Sequence, residues 1–187
     1  PGPRVYPVGA LTQKLKGENL TEMAELTEAG CVAFTQSDAP ITDTQVLLRA
    51  LEYATTFSYP VWLRPQDFHL ARGGVAHDGP VASRLGLPGI PAVAETVALS
   101  TILLLARQTG ARIHLARLST RESIAMVRAA KLQGVNVTCD VSANHLHLSE
   151  IDLTRFDSNL HFMPPVRSLR DRDALAEALK DGSIDAV

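Results

Sequence analysis

Short apolar runs alternate with helix-period segments along the whole chain, and no tight hairpin turn joins any two of the runs. That rhythm constrains the fold more than any single motif. Antiparallel neighbours can be joined by a two-residue turn, whereas parallel neighbours need a longer crossover that is usually a helix. Repeated βα units therefore read as a parallel sheet with helices outside it. Residues 112–118 show the pattern most clearly. His114, Ala116 and Leu118 alternate onto one face, and Ile113, Leu115 and Arg117 onto the other. Gly110 ends the helix before this run, and Ser119 with Glu122 has the spacing of a capping box for the helix after it. Arg117 then falls at the C-terminal end of a strand, where barrels and open parallel sheets place their chemistry.

Read in order, strands are expected over residues 4–8, 30–34, 59–63, 112–118, 135–141 and 159–163, with a further one starting at 184–187. Helices are expected over 19–29, 42–56, 92–108, 119–133 and 171–179, with a short one beginning at Ser149, and residues 144–148 read as a loop. An eight-stranded barrel takes roughly 250 residues, so 187 residues give about six to seven strands of an incomplete (β/α)8 barrel. The expected organisation is one domain over 1–187 that lacks the first and last barrel strands. Such a sheet has two unpaired edges, so the segment is expected to be part of a longer chain or to pair with another copy. An open doubly wound sheet is the alternative, but no Gly-x-Gly-x-x-Gly turn follows any strand to support it. Residues 66–91 are punctured by Gly and Pro and read as a functional or mobile connection. The stretch 81–99 reads as a partner surface or a flap.

Composition excludes several classes. The chain is 45% hydrophobic and 20% charged with a formal net charge of −2, which suits neither nucleic acid nor an anionic membrane as partner. The longest apolar run, 102–106, is far too short to span a bilayer. Cys31 and Cys139 form no CxxC pair and lie in apolar runs, so they read as buried free thiols of a reducing compartment. A cytoplasmic location is expected, as no basic-then-apolar segment opens the sequence.

Several ordered motifs go further. They are residues 30–35 (GCVAFT), 108–111 (QTGA), the strand ending in Ser119 and Thr120, 137–141 (VTCDV), 144–146 (NHL), 164–167 (PPVR) and 181–185 (DGSID). In order and spacing the chain resembles the type I dihydroorotases, cyclic-amide hydrolases of the amidohydrolase superfamily. The resemblance implies a TIM barrel with one or two zinc ions at its mouth. It also implies an HxH pair that would precede Pro1 and a catalytic aspartate that would follow Val187. Between these, the resemblance implies an acidic run where Gln36 and Ser37 stand, with Asp38 one step late. It implies histidines where Arg64 and Arg117 stand, and a substrate-contacting asparagine where Met163 stands. Zinc ligands must offer a lone pair, and a guanidinium is donor-only. At about 6 Å and an effective dielectric near 20, each unit of a dication's charge costs roughly 3 kcal/mol per arginine.

The expectation is therefore a catalytically inactive homologue without a metal cofactor. It is most like the chains of this family that accompany aspartate transcarbamoylase and support its assembly in pyrimidine synthesis, as a homo- or hetero-oligomer. Two alternatives stay open. One is an active zinc-dependent hydrolase interconverting carbamoyl aspartate and dihydroorotate, using ligands outside the segment or the His145/His147 pair. The other is a metal-free barrel that binds an anion through Arg64, Arg117, Asn144 and His145. Against that pocket stands the plainer reading that acids such as Asp67 or Asp140 neutralise the two arginines. By the same reasoning, His114 reads as a satisfied core histidine facing away from Arg117. His69 and His77 read as exposed, and Asp38 as a loop cap.

Overall fold

The computed structural model describes residues 2–187. Its centre is a parallel five-stranded sheet built from β1 (Val8–Ala10), β2 (Ala33–Thr35), β3 (Val61–Leu63), β6 (Ile113–Leu115) and β7 (Val137–Cys139), in the order β1-β2-β3-β6-β7. The remaining two strands, β4 (Ala76–His77) and β5 (Gly89–Ile90), pair with each other in a separate parallel ladder. Ala186 bridges Asp140 in the parallel sense, so the chain begins a further strand beside β7, as the 184–187 pattern implies. The result is part of an α/β barrel, open on one side.

Register explains the layers. Phe34, Val61, Ile113 and Val137 lie side by side across the ladder, and all four are buried. On the opposite face stand Thr35, Trp62, His114 and Thr138. The first row packs under the helices, and the second lines what a closed barrel would make its interior. The helices supply matching stripes. Those of α2 (Thr44–Thr56) are Leu47, Ala50, Leu51 and Ala54, and those of α5 (Val93–Thr109) include Leu99, Ile102 and Ala106. Ile124, Val127 and Ala130 of α6 (Arg121–Leu132) and Leu175 and Ala178 of α8 (Leu169–Lys180) complete the core.

Several sequence expectations need correction. The first strand runs 8–10, not 4–8, because residues 2–7 are exposed and only Val8 onward registers against β2. Residues 159–163 form no strand: a single 3-10 turn covers Ser158–Leu160, and the segment runs exposed or half-buried to Pro164. The 144–148 loop is instead a short helix, α7 (Ala143–His147), capped by Ser142. The 66–91 connection is mostly regular, holding α3 (Phe68–Ala71), β4, α4 (Pro80–Leu85) and β5. Its glycines serve tight packing. A Cβ on Gly74 would lie 2.3 Å from Ile90 Cγ1, and one on Gly89 would lie 2.7 Å from the Asp78 Cα. The short helix α1 (Met23–Glu28) begins four residues later than the periodicity suggests. Cys139 is buried but Cys31 only half so, and both thiols are free.

Candidate functional site at the strand ends

The strand order sets β2, β3 and β6 next to one another, so the residues that follow them converge at one end of the sheet. These are the positions singled out in the sequence: Gln36, Ser37 and Asp38 after β2, Arg64 after β3, and Arg117 after β6. Arg117 does not continue the alternation. Its φ is +57°, a left-handed conformation that costs a non-glycine residue roughly 1–2 kcal/mol. Two bonds hold the turn: the Arg117 N–H donates to Asp140 Oδ1 at 2.7 Å, and the Leu118 N–H donates to the Asp140 carbonyl at 3.0 Å.

Asp38 is the hub. Arg64 Nε donates to its Oδ1 at 2.8 Å, and Arg64 Nη2 to its carbonyl at 3.1 Å. Arg117 Nη2 donates to the same Oδ1, while Arg117 Nη1 donates to the Met163 carbonyl at 3.2 Å. Arg64 Nη1 completes its set on Gln66 Oε1. The side chain of Arg64 is only 5% exposed, whereas that of Asp38 is 59% exposed. Burial pushes the Asp38 carboxyl up, but hydrogen bonds and charge from Arg117 and Arg64 outweigh it and hold the group below the usual carboxylate range. Burial in turn lowers Arg64, against the pull of Asp38.

The arginines are thus neutralised, but not by the acids expected. Asp67 caps α3, accepting from the Leu70 N–H at 2.8 Å. Asp140 takes His114 Nε2 at 2.8 Å besides the Arg117 backbone. Asp38 is therefore no loop cap. His114 is satisfied, as expected, but half-buried on the interior face rather than in the core: its Nε2 lies 2.8 Å from Asp140 Oδ2, its Nδ1 2.8 Å from Thr138 Oγ1, and its ring packs against Trp62. Burial raises Asp140, yet the His114 hydrogen bond and the Arg117 amide bring it down overall.

The other candidates disperse. Asn144 is exposed on α7 and, among the described residues, neither it nor His145 bonds to either guanidinium. His145 is buried, its Nε2 3.1 Å from the Pro164 carbonyl and 3.3 Å from that of Pro165. Burial lowers its pKa despite those carbonyls. His147 lies two positions along the same helix, so the pair does not converge as it would on a strand. His69 is exposed, as expected, but His77 is half-buried with Nδ1 3.2 Å from Arg167 Nη1, and burial followed by that arginine lowers its pKa. Met163 enters only through its backbone carbonyl.

Sequence reasoning missed a second polar cluster directly behind the site. Glu95, 3% exposed, accepts from the backbone N–H groups of Ser119 and Thr120 at 3.0–3.1 Å and from both hydroxyls. Ser119 therefore forms no capping box with Glu122; the α6 N-cap is Thr120, which accepts from Ser123. Buried Arg167 donates to Ser119 Oγ at 3.1 Å and to the Ile90 carbonyl at 2.6 Å. The available signal was the single carboxylate of α5, set in its first turn.

A zinc ion does not fit the residues present. Arg64 and Arg117 offer no lone pair. The Asp38 carboxylate is shared by two guanidinium groups, and the Gln36 amide oxygen already accepts from Thr12 Oγ1 at 2.9 Å. Among the described residues no three His, Cys, Asp or Glu side chains converge as a metal set, and no helix is long and apolar enough to cross a membrane.

Comparison with known proteins agrees with this geometry in outline. A family model described as dihydro-orotase-like matches residues 3–123. A dihydroorotase-like protein of Pseudomonas aeruginosa is 47% identical over 98% of this chain and 44% of its own length. One from Pseudomonas putida is 45% identical over 98% and 43%. A dihydroorotase of Syntrophotalea carbinolica is 41% identical over the same shares. The chain thus spans less than half the length of these relatives. Among solved structures, an L-hydantoinase (dihydropyrimidinase) of Arthrobacter aurescens superposes with a TM-score of 0.77 over 95% of this chain and 41% of its own, at 20% identity. At that identity the likeness speaks for the fold alone, that of a TIM barrel.

Proposed function

We propose that this chain, which belongs to the dihydro-orotase-like family, is a non-catalytic member serving pyrimidine synthesis as an assembly partner of aspartate transcarbamoylase. One observation carries the proposal. The places where the family resemblance implies electron-pair donors hold two guanidinium groups that share Asp38. A cation site has become a closed salt-bridge cluster. Without a bound dication, no water is brought to a pKa near 7 and no amide carbonyl is polarised at this place. The core motifs persist nonetheless, since Val137, Cys139 and Val141 are all buried. Retention of packing with replacement of the site is the pattern an architectural role leaves. The name dihydroorotase-like protein, borne by the two Pseudomonas relatives, fits the same reading.

The direct experiment is co-sedimentation of the intact protein with the catalytic chain of aspartate transcarbamoylase at micromolar concentration. A stoichiometric complex is expected, together with no dihydroorotate turnover and less than one zinc per ten chains after dialysis. A protein that sediments alone, or one that holds stoichiometric zinc and turns over dihydroorotate, overturns the proposal.

A further inference from the structure

The connection between β3 and α5 carries a small lobe, β4–α4–β5, that the strand-end cluster does not use. Its two strands pair with each other and not with the main sheet. Ile90 packs with Ala71 and Ala94 in a core separate from the main one, and α4 rests on the 3-10 turn Glu150–Arg155. Among the described residues, the hydrogen bonds between residues 75–90 and the rest of the chain all come from one atom, Arg167 Nη1. It donates to the Ile90 carbonyl at 2.6 Å and to His77 Nδ1 at 3.2 Å. The anchor end is firm, since Arg167 is buried and its Nε is held by Ser119 Oγ.

Donor chemistry fixes the state of His77. A guanidinium has no lone pair, so Nδ1 must accept, and the neutral ring carries its proton on Nε2. A proton on Nδ1 reverses this: the acceptor becomes a second donor facing a cation. The charged groups around the ring are Arg167 from the segment before α8, Glu150 from the 3-10 turn, Asp171 from α8 and the adjacent Asp78. Gly79 lets Glu150 come close: a Cβ there would lie 2.6 Å from Glu150 Oε2 and 3.1 Å from His77 Cδ2. The three carboxylates favour the imidazolium, but burial and then Arg167 outweigh them and hold the ring below its ordinary range.

We propose that His77 and Arg167 form a pH-responsive latch: the neutral ring ties the lobe to the body, and the imidazolium releases it. In the open lobe the ring is solvated and titrates near about 6.5. Opening is therefore favoured as pH falls below that value, and the response levels off below the closed-state value. Release bares Ile90 and the buried side of α4, Val81 and Ala82, so an apolar surface appears in acid. The latch is independent of the assembly role, because it needs neither the transcarbamoylase nor the mouth.

The test is hydrogen exchange on the intact protein, read as opening constants after correction for intrinsic amide rates. The reporters are the Val75 and Asp78 amides, which donate across the ladder to the Pro88 and Ile90 carbonyls. Their constants should exceed that of Leu51 in α2 at least tenfold, because the lobe opens without global unfolding. Between about pH 7.5 and about pH 5.5 they should rise at least threefold. His77→Asn keeps an acceptor near the Nδ1 position and takes no proton, so its constants should hold level over that range. Ring nitrogen shifts of the wild type, which need no variant, should show Nδ1 unprotonated at neutral pH. Constants no larger than that of Leu51, a level response in the wild type, a rise that survives His77→Asn, or a proton on Nδ1 at neutral pH overturns the proposal.

Discussion

Asp38 decides what the mouth of this sheet can do. A single carboxylate held between two guanidinium groups relieves a repulsion that would otherwise act across the strand ends. Asp38→Ala should lower stability by about 1 kcal/mol, a modest figure because the carboxylate is more than half exposed and solvent screens it. Adding Arg117→Ala to that variant should recover part of the loss, which thermal melts of wild type, the two single variants and the double variant read as a coupling. The pH dependence has a definite sign. The folded-state pKa is depressed, so this stability is present above the unfolded value near 4 and is lost as pH falls through the lower folded value. Melts of wild type and Asp38→Ala should therefore converge on acidification. At the other extreme, burial pushes the Cys139 thiol up to about 11. At pH 8 its thiolate fraction is about one in a thousand. Alkylation followed by peptide mass mapping should find Cys31 modified well before Cys139. The sequence placed Arg64 and Arg117 at strand ends correctly, but it could not pair them with Asp38. That pairing depends on strand order, β2 beside β3 beside β6, and short parallel strands carry no local record of their neighbours.

At the scale of elements, the buried carboxylate of Glu95 ties α5 to the start of α6. The first N–H groups of a helix have no partner within it, and those at Ser119 and Thr120 find theirs in Glu95 rather than in water. Arg167 closes the cluster from the segment before α8. Removing the carboxylate would strand the buried donors of Ser119 and Thr120 and take a countercharge away from buried Arg167. Glu95→Ala should cost about 3–5 kcal/mol, and hydrogen exchange should quicken at the Ser119 and Thr120 amides before it does in the core of α2. Protection unchanged at those two amides would count against the tie. Helices were legible because their stripes are long: α2, α5 and α6 fall within two residues of the periodicity at each end. The 159–163 run failed because five half-apolar residues before a proline satisfy a strand pattern without any neighbouring edge to pair with. Residues 144–147 failed the other way, since a helix of barely one turn has no period to show, and Ser142 as its N-cap was the only available sign.

At the scale of the molecule, the sheet is a barrel wall with one face uncovered. Trp62 on that face is 42% exposed, and Thr138 beside His114 is exposed as well. β1 forms one edge of the sheet, and Val8 on it is exposed. A parallel sheet is normally covered on both faces, and an open edge invites pairing with another chain. The isolated 187-residue chain should therefore melt at a temperature that rises with its own concentration, because self-association covers what folding alone leaves bare. Charge on the edge separates this from trivial aggregation. Val8→Lys should suppress the rise between about 1 and about 100 µM, with at most a modest drop in the melting temperature of the dilute chain, since Val8 is 38% exposed. Iodide quenching of Trp62, the single tryptophan, reads the same event from the uncovered face. Quenching should weaken with concentration in the wild type if the covering copy reaches the interior row, and stay constant in Val8→Lys. A melting temperature independent of concentration in both chains would mean that the open wall is stable on its own, and that the uncovered row from Thr35 to Thr138 imposes no demand for a partner.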